Sequence, residues 1–278
     1  MTYQTQALRD LEGPLARDHF RNNKTNQIDH LGSVQKSSSV CVKKIVFINP
    51  KGGVGKSTLA LLTSIALASR SQREVAMLDL DSQATSSRSL KRFENDRLRI
   101  YGSSEFMHET GIINSWDIAS FIPDSKNDTT QFLVVDTPAS VAVGDYPFLS
   151  SCDFIFVPTS CSDADVFATQ DFLKQLFNNG ISAHSMRPSR KPFFVMLPNQ
   201  VISKKDVSEM RIAFQSFPVL FGKPLTFSMK MRKAFRPDSD DKSLIKVLKH
   251  TSNYFDWMNA LITESLPLPS KVNSFYQL

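Results

Sequence analysis

The segment Pro50-Lys51-Gly52-Gly53-Val54-Gly55-Lys56-Ser57-Thr58 lies between two unlike patterns. Before it, Lys44-Ile45-Val46-Phe47-Ile48 is a short β-branched and aromatic run of the kind that forms a buried strand. After it, Leu59, Leu62, Ile65 and Leu67 recur in a helical pattern between Lys56 and Ala68. A glycine-rich loop thus leaves a strand at Asn49-Pro50 and opens a helix at Lys56. Its glycines let backbone N–H groups turn inward with no Cβ in the way. Together with the positive end of the helix they form an anion site.

Further apolar strands are expected near 74–78, 132–135, 154–157 and 193–196, with helices at 164–177, 204–217 and roughly 241–266. Strands that are apolar throughout and alternate with helices indicate an α/β fold: a mainly parallel, doubly wound sheet covered on both faces. Residues 88–130 carry little legible pattern. Residues 1–40 read as a polar, disordered tail, with turn-forming runs at Asn22–Gln27 and Ser37–Ser39. Residues 41–278 read as one P-loop NTPase domain.

The composition sets bounds. Among 278 residues the cysteines are Cys41, Cys152 and Cys161, an odd number without a C-x-x-C pair, so neither a disulfide framework nor a zinc site is expected. No apolar run reaches the roughly 18 residues of a membrane span, and the first ten residues carry no apolar signal core, so a cytoplasmic protein is expected. The net charge is +6, and a basic excess favours polyanionic partners.

The pattern Gly-x-x-x-x-Gly-Lys-Ser/Thr finds its nearest frame here with Lys51 where the first glycine belongs. In such a loop Gly52, Gly53, Val54, Gly55 and Thr58 contribute backbone to a phosphate cradle. Lys56 contacts the β- and γ-phosphates, and the Ser57 hydroxyl serves Mg²⁺. Two acidic stretches follow strands: Asp79-Leu80-Asp81 and Asp136-Thr137-Pro138. In α/β sheets ligands gather at the C-terminal ends of strands, where a carboxylate can hold Mg²⁺ through water or orient an attacking water. Asp81 and Asp136 are the candidates, with a helix N-cap as the bland alternative.

Together these residues resemble the ParA/MinD family of deviant Walker A ATPases, most of all the ParA-type partition ATPases. Lys51 matches the family's additional lysine. Asp79-Leu80-Asp81-Ser82-Gln83 is similar to its Asp-x-Asp-Pro-Gln, with Ser82 replacing proline, and Val135-Asp136-Thr137-Pro138 is similar to its Walker B strand. The stretch Val157–Ser160 through Asp165–Thr169 looks like the strand-loop-helix that follows, and Asn199 stands where the family often has an adenine-contacting asparagine. The resemblance, over roughly 43–250, implies ATP and Mg²⁺ as cofactors and an ATP-dependent homodimer. It implies that Lys51 reaches the partner subunit's ATP, that Lys56 holds phosphates within its own subunit, that Ser57 and Asp136 serve Mg²⁺, and that Asp81 helps to position water.

The cargo surface is open to several readings. Between Arg187 and His250 fourteen Lys or Arg face five Asp or Glu, a larger excess than in the whole chain. Such asymmetry is a footprint for a phosphate backbone. Lys230, Arg232, Lys233 and Arg236 form its densest cluster. The expectation is non-specific double-stranded DNA, nucleoid association, and a ParB-like centromere-binding or adaptor protein that stimulates hydrolysis. A MinD-like membrane ATPase would need a basic amphipathic C-terminal helix, which Pro267 and Pro269 oppose. The third reading is a non-hydrolysing ATP-binding adaptor.

Overall fold

The structure is a computed structural model, and it describes residues 42–70, 73–81, 90–110, 131–139, 147–178, 192–234 and 241–263. The expected N-terminal tail lies outside these residues. Seven strands form one sheet: β1 (Lys43–Phe47), β2 (Val75–Asp79), β3 (Leu98–Gly102), β4 (Phe132–Asp136), β5 (Phe154–Thr159), β6 (Phe193–Pro198) and β7 (Leu220–Phe221). Their order is β3-β2-β4-β1-β5-β6-β7, and every pairing is parallel. The helices are α1 (Lys56–Arg70), α2 (Ser103–Thr110), α3 (Asp163–Asn178), α4 (Lys204–Phe214), α5 (Met229–Ala234), α6 (Asp241–His250) and α7 (Ser252–Ile262).

Alternate side chains of each strand feed opposite faces. Ile45, Phe47, Met77, Val134, Phe154 and Phe156 pack under α1, α6 and α7. Val46, Ile48, Leu78, Val135, Ile155 and Val157 pack under α3 and α4. Both faces are dry, so the central strands are apolar throughout, as the sequence pattern indicates. Phe156 stacks between Phe47 at 5.1 Å and Phe154 at 5.9 Å, tying β1 to β5. From β1 the chain crosses to β2 on one side, and from β5 to β6 on the other. This reversal of direction opens a crevice at the C-terminal strand ends beside β1.

Four elements are absent from the sequence reading. β7 has only two residues, and α5 only six. Both are too short to show a period. β3 and α2 fall within the illegible stretch 88–130. The long helix expected at 241–266 is two helices that meet at Thr251. Its hydroxyl and its N–H both bond back to Val247 O, and its φ of −100° and ψ of 11° leave the helical basin. No glycine or proline marks that break. α4 begins where expected because Ser203 and Asp206 form a capping box.

Phe156→Ala removes the aromatic bridge between β1 and β5. It should lower stability by about 3–5 kcal/mol, read as a shifted denaturant midpoint with an unchanged slope.

Candidate functional site

The loop between β1 and α1 is built on glycine. Gly53 and Gly55 have φ of +81° and +99°, values that favour residues without a Cβ. A Cβ on Gly55 would stand 2.2 Å from Asn199 Nδ2, so Gly55 is fixed by close approach as well. Asn199 follows β6, is buried, and donates from Nδ2 to Val54 O at 2.8 Å. Gln200, itself left-handed at φ 58°, donates from Nε2 to Gly53 O at 2.7 Å. With both carbonyls drawn to that side, the trans peptides turn the Val54 and Gly55 N–H groups the opposite way. The loop is thus held with donors free to meet an anion at the start of α1.

Register places the acids. Asp136 lies level with Phe47 of β1 and with Asp79 of β2. In a parallel sheet such neighbours share a face, here the face that carries α1. The Ser57 hydroxyl bonds to the Asp136 carboxylate. Asp136 is 2% exposed, and its Oδ1 has no hydrogen-bond partner among the described residues. Burial raises its pKa to about 7, opposed by the Ser57 bond and by Lys56, and reinforced by Asp79 and Asp81. Asp79 is buried and accepts the Asp81 N–H at 3.0 Å. Lys56 is buried, and its Nζ donates to Lys51 O at 2.9 Å. Burial lowers the Lys56 pKa, while Asp136 and Asp81 work against that shift.

An orphaned carboxylate oxygen beside a hydroxyl fits a hard cation. Among the described residues no three His, Cys, Asp or Glu could hold a metal alone. Mg²⁺ takes one or two protein oxygens and completes its shell with water and phosphate, and Ser57 with Asp136 offers such a pair. A cleft of about 290 Å³ runs from Gly53, Gly55, Lys56, Ser57 and Thr58 to Asn199, Thr226, Phe227 and Met231. Phe227 is 41% exposed and gives the far end of the cleft an aromatic wall.

Lys51 stands apart from the cleft. Its side chain is 42% exposed, and its ammonium lies 3.9 Å from Asp165 of α3. Asp165 also accepts a short bond from the Ser160 hydroxyl. The structure thus gathers Lys51, Gly52, Gly53, Val54, Gly55, Lys56, Ser57, Thr58, Asp81, Asp136 and Asn199 around one strand edge. Asp165 and Thr169 belong to a stretch that the sequence reading quoted without assigning roles. Gln200 and Phe227 carry no motif signal. Among the DNA candidates Lys230 is exposed, Arg232 and Lys233 lie on α5, and Arg236 falls outside the described residues, as does Ser82 of the Asp79–Gln83 motif. Of the thiols, Cys152 is buried and its pKa is pushed up to about 12 by that burial, which leaves it inert. No helix among the described residues is long and apolar enough to cross a membrane.

The profile of the CobQ/CobB/MinD/ParA nucleotide binding domain matches residues 45–264. Three solved structures share the fold. Apo McdA from Cyanothece has 13% identity and a TM-score of 0.55, covering 81% of this chain and 99% of its own. MinD, a cell division protein of Aquifex aeolicus, has 15% identity and a TM-score of 0.55, covering 82% and 100%. A Borrelia burgdorferi B31 protein described as a plasmid partition protein, bound to AMPPNP, has 16% identity and a TM-score of 0.54, covering 77% and 98%.

Two outcomes follow for the site. Gly55→Ala should abolish nucleotide binding by calorimetry, because the strained φ and the Asn199 contact both oppose it. Asp136→Asn should raise the melting temperature of the nucleotide-free protein at pH 8, with a smaller gain at pH 5. The folded pKa of Asp136 exceeds its unfolded value of 3.8. Its ionisation therefore costs stability progressively as pH rises from 3.8 to about 7, and in full above that.

Proposed function

The chain belongs to the CobQ/CobB/MinD/ParA nucleotide binding domain family, and from this we propose that it is an ATPase that dimerises on ATP, binds DNA without sequence preference, and positions a cargo. The observation that carries this reading is Lys51: a half-exposed loop lysine whose ammonium faces Asp165 of α3, outside the residues that line the cleft, whereas Lys56 is among them. A cation supplied across a twofold axis neutralises charge on the transferring phosphoryl group. Solved relatives support the reading: one is described as a plasmid partition protein and one is the cell division protein MinD.

In this proposal the loop N–H groups and Lys56 hold the phosphates, with Lys56 Nζ exchanging Lys51 O for phosphate oxygen. Ser57 and Asp136 would hold Mg²⁺, the latter directly or through water. The ion when bound supplies charge neutralisation for the β- and γ-phosphate oxygens. Asp81, two residues past the end of β2, orients the attacking water. The nucleoside lies along Asn199, Thr226 and Phe227. A ParB-like partner that stimulates turnover completes the cycle.

The DNA surface extends beyond the cluster read from sequence. α6 exposes Lys242, Lys246, Lys249 and His250, spaced to share one side of the helix. α5, which carries exposed Lys230, packs beside α6. Such side chains contact phosphates without reading bases.

Fluorescence anisotropy of an arbitrary-sequence duplex tests the proposal. Binding should require ATP and Mg²⁺, weaken with salt, and vanish in Lys56→Ala. Reversing the charge of both Lys246 and Lys249 should reduce the salt slope by about 2 and spare DNA-free turnover. Lys51→Ala should bind ADP normally yet lose ATP-dependent DNA binding and hydrolysis. Absence of DNA binding in every nucleotide state overturns the DNA reading, and binding to anionic vesicles instead would establish the MinD-like one.

A further inference from the structure

Lys51 is held at three points, and two of them lead to the same buried hydroxyl. Its N–H donates to Asn49 Oδ1 at 2.9 Å. Asn49 is 1% exposed, and its Nδ2 uses both hydrogens far away in the chain, on Pro158 O at 2.8 Å and on Thr169 Oγ1 at 2.9 Å. Thr169, wholly buried on α3, donates its own hydroxyl hydrogen bond to Asp165 O at 2.7 Å. Asp165 is the residue whose carboxylate faces the Lys51 ammonium. The contacts close a ring that runs from the Lys51 backbone through Asn49, Thr169 and Asp165 to the Lys51 side chain.

A loop asparagine that accepts the N–H two residues on is common and purely local. The two long-range bonds are not needed for that turn. Nor are they needed for the phosphate cradle, which is held from its other side by Asn199 and Gln200. What they determine is how the start of the loop is set against α3, and hence where Lys51 points. We infer that Asn49 and Thr169 are positioning residues that aim Lys51 out of its subunit. The inference rests on the proposed role of Lys51 between subunits. It assigns to two uncharged buried side chains a part in turnover separate from nucleotide binding.

The test compares Thr169→Val, which keeps the shape and removes the hydroxyl, with Thr169→Ser, which keeps the hydroxyl. Asn49→Ser is the second variant, since it can keep the local turn to the Lys51 N–H but is too short for both long-range bonds. ADP affinity reports the cradle, and steady-state ATP turnover with duplex DNA reports Lys51. Thr169→Val and Asn49→Ser should lower turnover about 10- to 100-fold, the scale of a small misplacement of a catalytic group. ADP affinity should stay near wild type, and Thr169→Ser should restore turnover. Equal losses of ADP affinity and turnover would show a brace that merely supports the fold, and unchanged turnover would show that the ring does not aim Lys51. If the wild-type protein binds ATP but neither dimerises nor turns it over, the proposed function fails and this inference fails with it.

Discussion

A parallel sheet levels its strand ends only if the register of the central strands is right, and this site hangs on one such row. Phe47, Asp79 and Asp136 stand side by side on β1, β2 and β4. A slip of one residue in β4 would carry Asp136 to the face under α3 and α4, away from Ser57 and Lys56. The row is secured by the apolar side chains below it and by bonds above it. The Thr137 N–H and hydroxyl both reach Phe47 O, and Leu80 N–H reaches Asp136 O. The same packing that forms the core therefore sets where charge sits.

The charge balance supports the divalent cation proposed for this site. Asp81 and Asp136 crowd one buried ammonium, Lys56, and Asp79 adds a further negative charge beside Asp136. A triphosphate entering that field alone would meet net repulsion. Ser57 and Asp136 would hold the proposed cation, which would offset that repulsion and satisfy the orphaned Oδ1. Its charge would favour the ionised Asp136 carboxylate, which burial otherwise disfavours. Lys51 stays outside this balance because Asp165 offers it a separate counter-charge on α3. The loop thus carries two lysines with different surroundings, one buried among acids and one half exposed.

The strand-loop-helix of 43–70 was legible because three signals coincide there: an apolar strand, a glycine-rich turn, and a helix opening on Lys-Ser-Thr. The acids after β2 and β4 were legible from their place at strand ends. What escaped has physical reasons. β3 is an edge strand whose alternation is brief, and β7 is held by two residues beside β6. The break at Thr251 comes from a side chain bonding back to the helix, an act that Thr performs in many unbroken helices. Gln200 bonds the loop and Phe227 lines the cleft through tertiary pairing, in which Val201 bridges Thr226. The long-range bonds of Asn49 depend on β5 and α3 lying beside β1, which no local spacing reveals.

Sedimentation velocity of the purified wild-type protein, with ATP and with ADP at equal Mg²⁺, bears most directly on an ATP-gated pair of subunits. The expected result is a dimer with ATP and a monomer with ADP, the difference vanishing when Mg²⁺ is chelated. A monomer in both nucleotides, with ATP shown to be bound, would contradict a role for Lys51 across two subunits.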